Sequence, residues 1–141
     1  MKIFIASDHA GYELKEFLKL AFEGQDIVDL GCESNDSVNY PDFAHKISQE
    51  VLKDTTYKGI LICGSGIGMS ITANRYKGIR AALCSNKELA KLSRQHNNAN
   101  ILVLGARFIE QEQAKNIVDT WLQTEFEGGR HEKRVELIDL G

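Results

Sequence analysis

The 141-residue chain has one proline, one tryptophan and three cysteines, and no apolar run approaches the roughly 20 residues a membrane span needs. A membrane protein is therefore not expected. Cys32, Cys63 and Cys84 cannot all pair within one chain, and no CxxC occurs. That argues against a disulfide framework and against a dithiol redox motif, and reduced thiols predict a cytoplasmic protein. The opening MKIFIASDHAG carries one lysine and a short β-like run, too short for the core of a secretory signal. His9, His45, His96 and His131 show no HxxH or HxxxH spacing, so no metal site is expected. Low-complexity and disorder-prone composition are lacking too, which predicts a single domain over residues 1–141. With 17 basic against 20 acidic residues the net charge is −3, which disfavours a broad nucleic-acid surface.

Against that acidic background, GGRHEKR (128–134) clusters Arg130, His131, Lys133 and Arg134. A local anion such as a phosphate suits it better than a polyanion. The rest of the chain alternates short apolar runs with amphipathic stretches. Strands are expected at 2–6, 26–30, 59–63, 79–84 and 100–105, each apolar on both faces. Leu14, Phe17, Leu18 and Ala21 share one helical face, and Pro41 opens a helix carrying Phe43, Ala44, Ile47 and Val51. A helix follows the glycine turn from about Gly66 to Asn74. Ser85 and Glu88 read as a capping box for the next, which runs toward His96. Ala114, Ile117, Val118 and Trp121 mark another, and a last one begins near Arg130. This βα alternation predicts an α/β fold, a five-stranded parallel sheet between two helical layers.

In such sheets ligands bind beyond the carboxyl ends of the strands, near a switch in strand order. Those ends carry Ser7-Asp8-His9, Cys63-Gly64-Ser65, Cys84-Ser85 and Gly105-Ala106-Arg107. In GILICGSGIGMS (59–70) the glycines are spaced GxGxG, not GxGxxG, and no P-loop lysine follows, so a dinucleotide site is weakly supported. The turn still aims backbone N–H groups at an anion where a helix begins. Cys63 precedes that helix N-terminus, a setting that makes a thiol reactive, whereas Cys32 and Cys84 read as structural. His9 could hold an anion or cap the next helix. His96 precedes the fifth strand, toward the opposite edge of the sheet. Unless its loop curls upward, His96 reaches the cysteine only from a second subunit. The same holds for Arg130 and Arg134, whose bland reading is a solvated helix face.

Taken together, SDHAG, NYPDFA, GILICGSGIGMSITANR, GIRAALC, LSRQHNNANILVLGAR and GGRHEKRVE resemble the type B ribose-5-phosphate isomerase family, which also includes galactose- and allose-6-phosphate isomerases. The resemblance runs from the first strand to the last helix. It implies a Rossmann-like three-layer sandwich whose C-terminal helix reaches a partner subunit. It further implies a homodimer or dimer of dimers with shared active sites, and aldose–ketose isomerisation of a sugar phosphate without metal or organic cofactor. Cys63 falls where one branch of the family carries its catalytic base. The other branch uses a glutamate at the position of Met69, which cannot move protons. Ser65 matches a position that is serine or threonine. The resemblance assigns ring opening to His96, with His131 as rival, and substrate holding to Asn97. It places Asp8 and Tyr40 along the sugar, and His9, Arg107, Arg130 and Arg134 around the phosphate. The amides of Gly64, Ser65, Gly66, Ile67 and Gly68 are the expected donors to an enediolate. Ribose 5-phosphate is the expected substrate. A six-carbon phosphate, or a catalytically silent sugar-phosphate-binding subunit of the same fold, remains the alternative.

Overall fold

The computed structural model describes residues 1–140. Among them, strands β1 (Lys2–Ser7), β2 (Asp26–Asp29), β3 (Lys58–Cys63), β4 (Ala81–Leu83) and β5 (Ile101–Gly105) form one sheet in the order β2-β1-β3-β5-β4. Every pairing is parallel. The connecting helices are α1 (Tyr12–Ala21), α2 (Tyr40–Val51), α3 (Ile67–Ala73), α4 (Lys87–Gln95), α5 (Gln111–Gln123) and α6 (Arg130–Leu137).

Side chains alternate across a strand, so each central strand feeds two cores. Ile3, Ile5, Ile60, Ile62, Leu102 and Leu104 pack under α1, α4 and α5, together with Leu14, Leu18, Ile117 and Trp121. Phe4, Ala6, Leu61, Cys63, Ile101 and Val103 face α2 and α3, against Phe43, Ile47, Met69 and Ala73. Each fully buried Ile or Leu contributes about 1.5–3 kcal/mol. The three inner strands thereby form a stiff platform for whatever stands at their ends.

Two sequence expectations need correction. Only β1, β3 and β5 are apolar on both faces. The edge strands β2 and β4 are half-open to solvent, because nothing pairs with their outer sides. Ser85 does not cap α4: Asn86 stands at the N-cap, and its Oδ1 accepts from the Leu89 N–H at 2.8 Å. Asparagine competes well with serine for this role. A capping box does occur, at α5, where Glu110 and Gln113 reciprocate. No helix of the described residues is long and apolar enough to cross a membrane.

The chain leaves β1 through α1 to β2 on one side, then returns over the other face through α2 to β3 on the opposite side. That reversal opens a crevice beyond the carboxyl ends of β1 and β3. One fully buried charge braces the fold beside it. Lys15, 1% exposed, donates to Asp29 Oδ2 at 2.6 Å, and Lys19 reaches the same oxygen at 2.7 Å. Burial raises the Asp29 carboxyl, but hydrogen bonds from Lys15 and Lys19 outweigh it and hold the group below its ordinary range.

Candidate active site

The strand ends are joined by backbone hydrogen bonds. Asp8 N–H donates to Ile62 O at 3.1 Å, Ala106 N–H to Cys63 O at 2.8 Å and Arg107 N–H to Gly64 O at 3.0 Å. These bonds draw the ends of β1, β3 and β5 into one continuous rim. Cys63 ends β3 on the face turned to α2 and α3, and its side chain is buried. The Gly66 N–H donates to its Sγ at 3.1 Å. Gly66 caps α3 with φ +81°, a left-handed conformation that glycine adopts without strain. A Cβ there would also strike Leu83 and the carbonyl of Leu104. The turn folds back onto the sulfur because this residue can be nothing larger.

Ser65 is half-exposed, and its Oγ accepts from the Ile67 N–H at 3.2 Å, which leaves the hydroxyl hydrogen free to donate. Two of the five amides expected to cradle an enediolate are thus already engaged, Gly66 with sulfur and Ile67 with the Ser65 oxygen. Gly64, Ser65 and Gly68 remain the candidates.

Around this turn stand four further expected residues. Asp8 is buried and its Oδ1 accepts from the Gly11 N–H at 3.1 Å, so Asp8 rather than His9 caps the turn after β1. His9 Nδ1 accepts from the Val38 N–H at 3.2 Å, which fixes its tautomer and leaves Nε2–H to donate elsewhere. Tyr40, at the start of α2, lays its ring against Gly68, where an added Cβ would lie 2.5 Å from Cζ. The Arg107 guanidinium covers Gly64 in the same way, with Nη1 2.7 Å from the position of such a Cβ. Both glycines hold the backbone open to a neighbouring side chain. Met69 is completely buried in the core, apart from any proton chemistry. Cys84 is also buried, and that burial pushes its thiol up to about 11. Cys32, likewise buried, donates to Ser34 O at 3.1 Å.

The other half of the expected set gathers elsewhere. His96 caps the end of α4, before the amino end of β5, while Gly105 at the carboxyl end of β5 pairs with Cys63. Four strand steps separate those ends by about 13 Å. The loop does not curl upward. It is pinned by Arg94, buried beneath it, whose Nη1 donates to Ala99 O at 2.6 Å and to Asn98 Oδ1 at 3.0 Å. Arg94 Nε also donates to Thr124 O at 3.1 Å, tying the segment before α6 to the same place.

At this lower edge the rings of His96 and His131 stack, with centroids 4.3 Å apart and planes 13° apart. His131 is the one buried residue of α6. Burial, then the charges of His96 and Arg130, push its imidazole down from the ordinary value. Glu127 Oε1 lies 3.4 Å from His131 Nε2 and 3.9 Å from His96 Nε2. A cavity of about 300 Å³ opens here, lined by His96, Asn97, His131, Arg134, Val135 and Ile138. Arg130 stands exposed at the first position of α6.

The fold therefore brings Asp8, His9, Tyr40, Cys63 to Gly68 and Arg107 together at one edge of the sheet. It brings His96, Asn97, His131 and Arg134 together at the other. Arg94 and Glu127 were not singled out from the sequence, where each reads as one more charge on a polar stretch. Only the folding of α4, α6 and the intervening loop onto one another shows what they touch.

Comparison with known proteins gives these two clusters a context. A family model described as Ribose/Galactose Isomerase matches residues 3–138. The chain is 45% identical over 139 residues to ribose-5-phosphate isomerase B of Escherichia coli (strain K12), covering 97% of this chain and 93% of the relative. It is similar to a crystal structure of a ribose 5-phosphate isomerase from Thermotoga maritima, with a TM-score of 0.94, 56% identity, and coverage of 98% of this chain and 97% of that one. Ribose-5-phosphate isomerase B from Mycoplasma genitalium, solved with bound ribulose-5-phosphate, gives a TM-score of 0.93 at 44% identity, covering 97% and 93%.

Proposed function

Because the chain belongs to the ribose/galactose isomerase family, we propose that it interconverts ribose 5-phosphate and ribulose 5-phosphate, with Cys63 as the group that moves the proton. One observation carries the reading: a sulfur at the switch point of the sheet, receiving the N–H of Gly66 at 3.1 Å, beside Asp8, His9, Tyr40 and Arg107. The relatives named as ribose-5-phosphate isomerase B, one of them solved with ribulose-5-phosphate, favour the five-carbon substrate over a six-carbon one.

The chemistry follows from the groups present. The Cys63 thiolate takes the proton from C2 of the open-chain aldose, and the C2–H electron pair becomes the C1–C2 double bond of an enediolate. Negative charge develops on O1, where the free Ser65 O–H and the amides of Gly64, Ser65 and Gly68 can donate. The thiol then returns its proton to C1, while the O2 proton moves to O1, leaving a ketone at C2. No atom is gained or lost. Arg107 and the free Nε2–H of His9 bind the phosphate, a dianion that anchors the sugar so that both carbons lie over one sulfur.

Ring opening needs an acid–base group, for which His96 is the candidate, with His131 stacked on it as the rival. Since His96 and Asn97 precede the amino end of β5, about 13 Å along the strand from the end that pairs with Cys63, and Arg134 lines a cavity with them, the reading includes a second copy that supplies them. An apolar face suits that copy. Ile67, Leu83 and Phe108 are exposed around a cavity of about 420 Å³ next to Ser65, and Leu137, Ile138 and Leu140 are exposed beyond the His96 cluster. Patches of this kind mark protein interfaces.

The test is to incubate the protein with ribose 5-phosphate in chelator-treated buffer and follow ribulose 5-phosphate. Conversion there, lost in Cys63→Ala while phosphate-ligand binding persists, supports the assignment. Conversion of allose or galactose 6-phosphate alone would move the substrate to six carbons. Inertness toward all three would overturn the proposal.

A further inference from the structure

His96, Glu127 and His131 form a cluster that the isomerisation above does not use as a unit. We propose that these three side chains bind a divalent first-row cation, with zinc as the fitting ion, and that its binding withdraws His96 from ring opening. The second clause rests on the functional reading above; the first does not.

One nitrogen from each imidazole and one carboxylate oxygen lie within 4.8 Å of one another. Both Nε2 atoms lie near the same Glu127 oxygen, at 3.4 and 3.9 Å. Two imidazoles and one carboxylate, with the fourth position open, is a ligand set that zinc adopts. With bonds of about 2.0–2.2 Å, a tetrahedral ion needs its ligand atoms about 3.3 Å apart. The His131–Glu127 pair is already near that spacing, and His96 has to close by well under 1 Å toward the carboxylate and by up to about 1.5 Å toward the His131 nitrogen.

The three side chains divide the task. His131 is held, with a side chain 9% exposed, whereas His96 and Glu127 are 39% and 49% exposed and free to adjust. The exposed ring of His96 must swing out of its stacked, near-parallel arrangement by tens of degrees for both lone pairs to meet one ion. Glu127 is itself anchored through its backbone, whose N–H donates to Gln95 O at 3.1 Å, next to His96 in sequence. The cavity of about 300 Å³ alongside leaves the fourth position to water or an anion, and Arg134 in its wall favours the anion. The same guanidinium opposes a cation and weakens its binding.

Sequence spacing conceals this arrangement. Only Glu127 and His131 share a helical interval, at i and i+4, and the third ligand comes from the end of a different helix.

The decisive experiment is a zinc titration of the full chain against a chromophoric chelator, without substrate, for wild type, Glu127→Gln, His131→Asn and Cys63→Ser. One zinc per chain is expected, with affinity weakened about tenfold or more in Glu127→Gln and in His131→Asn, since even outer-shell changes at metal sites cost that much. Cys63→Ser should retain the site. Absence of stoichiometric binding overturns the proposal, as does binding that survives both variants and is lost only in Cys63→Ser. Circular dichroism of each variant keeps misfolding from passing as lost affinity. A parallel activity assay separates the two clauses. Stoichiometric zinc that slows turnover and is reversed by chelator supports both. Stoichiometric zinc with undiminished turnover upholds the metal site and removes His96 from the reaction.

Discussion

Replacing Gly64 with alanine should lower kcat/KM for the sugar phosphate while changing the melting temperature little, because the three atoms nearest the new methyl all belong to the tip of Arg107. Gly64 does not have the positive φ that would make alanine strained. A Cβ built there lies 2.7 Å from Arg107 Nη1 and 3.0 Å from Cζ, so the guanidinium must retreat by about 1 Å to reach ordinary contact distance. Arg107 is exposed, and the retreat costs the fold little. For a phosphate held by that guanidinium, 1 Å is enough to break a charge-assisted hydrogen bond. Such a bond contributes about 1.5–3 kcal/mol. The expected loss is therefore about 10- to 150-fold in kcat/KM, at roughly 1.4 kcal/mol per factor of ten. Steady-state kinetics on Gly64→Ala, Arg107→Ala and the double variant checks the route of the effect. If Gly64 acts only by admitting Arg107, the double variant is no worse than Arg107→Ala alone. Additive losses, or a Gly64→Ala enzyme as fast as wild type, would refute the route through Arg107, and an Arg107→Ala enzyme as fast as wild type would refute its placement at the phosphate.

Three other perturbations have definite expected outcomes. Mixing Cys63→Ala chains with His96→Ala chains should recover about a quarter of wild-type activity after random reassociation, since half the dimers then carry one intact site; no recovery from demonstrated heterodimers would place both residues in one chain's site. Gly105→Ala should destabilise the protein by about 1–3 kcal/mol, because its methyl meets the Ser65 backbone, with the carbonyl carbon 2.7 Å away, rather than a movable tip; an unchanged urea midpoint would contradict the close packing of β5 on the glycine turn. The depressed Asp29 carboxyl contributes stability that is fully present above its unfolded value near 3.8 and is lost as pH falls through the lower folded value. Asp29→Asn should remove that acid dependence and cost about 1.5–3 kcal/mol at neutral pH, since buried Lys15 loses its shorter ion pair and keeps only Glu16 at 3.1 Å, as denaturant titrations at several pH values would show.

Much of the fold was legible because its signals are local. The apolar run 59–63 followed by three glycines could only be a buried strand entering a helix, and β3, Gly66 and α3 lie where that reading puts them. The faces of α1, α2 and α5 follow their 3.6-residue spacing for the same reason. The cap of α4 was misread because Ser85 and Asn86 are adjacent and both suit the role; the choice is made by backbone geometry at Asn86. The open outer sides of β2 and β4 were not legible, since an edge strand with a few apolar residues looks like an inner one. At the candidate site, the position of residues directly following a strand was legible, because topology alone carries them to the rim. Arg94 and Glu127 escaped because one partner of each, Thr124 for Arg94 and His96 for Glu127, lies on a segment remote in sequence, where no spacing rule reaches.

The position of β5 between β3 and β4 also bears on how the chain is made. β4 pairs only with β5, so when β4 leaves the ribosome it has no strand to join. Until residues 101–105 emerge, the growing chain holds a three-stranded piece, β2-β1-β3, with the apolar edge of β3 uncovered. The last strand then inserts and links both parts at once. The glycine turn after Cys63 gains its contact with Gly105 in that same event. Synthesis stalled before residue 101 would leave a nascent chain whose central strand β3 has one edge unpaired.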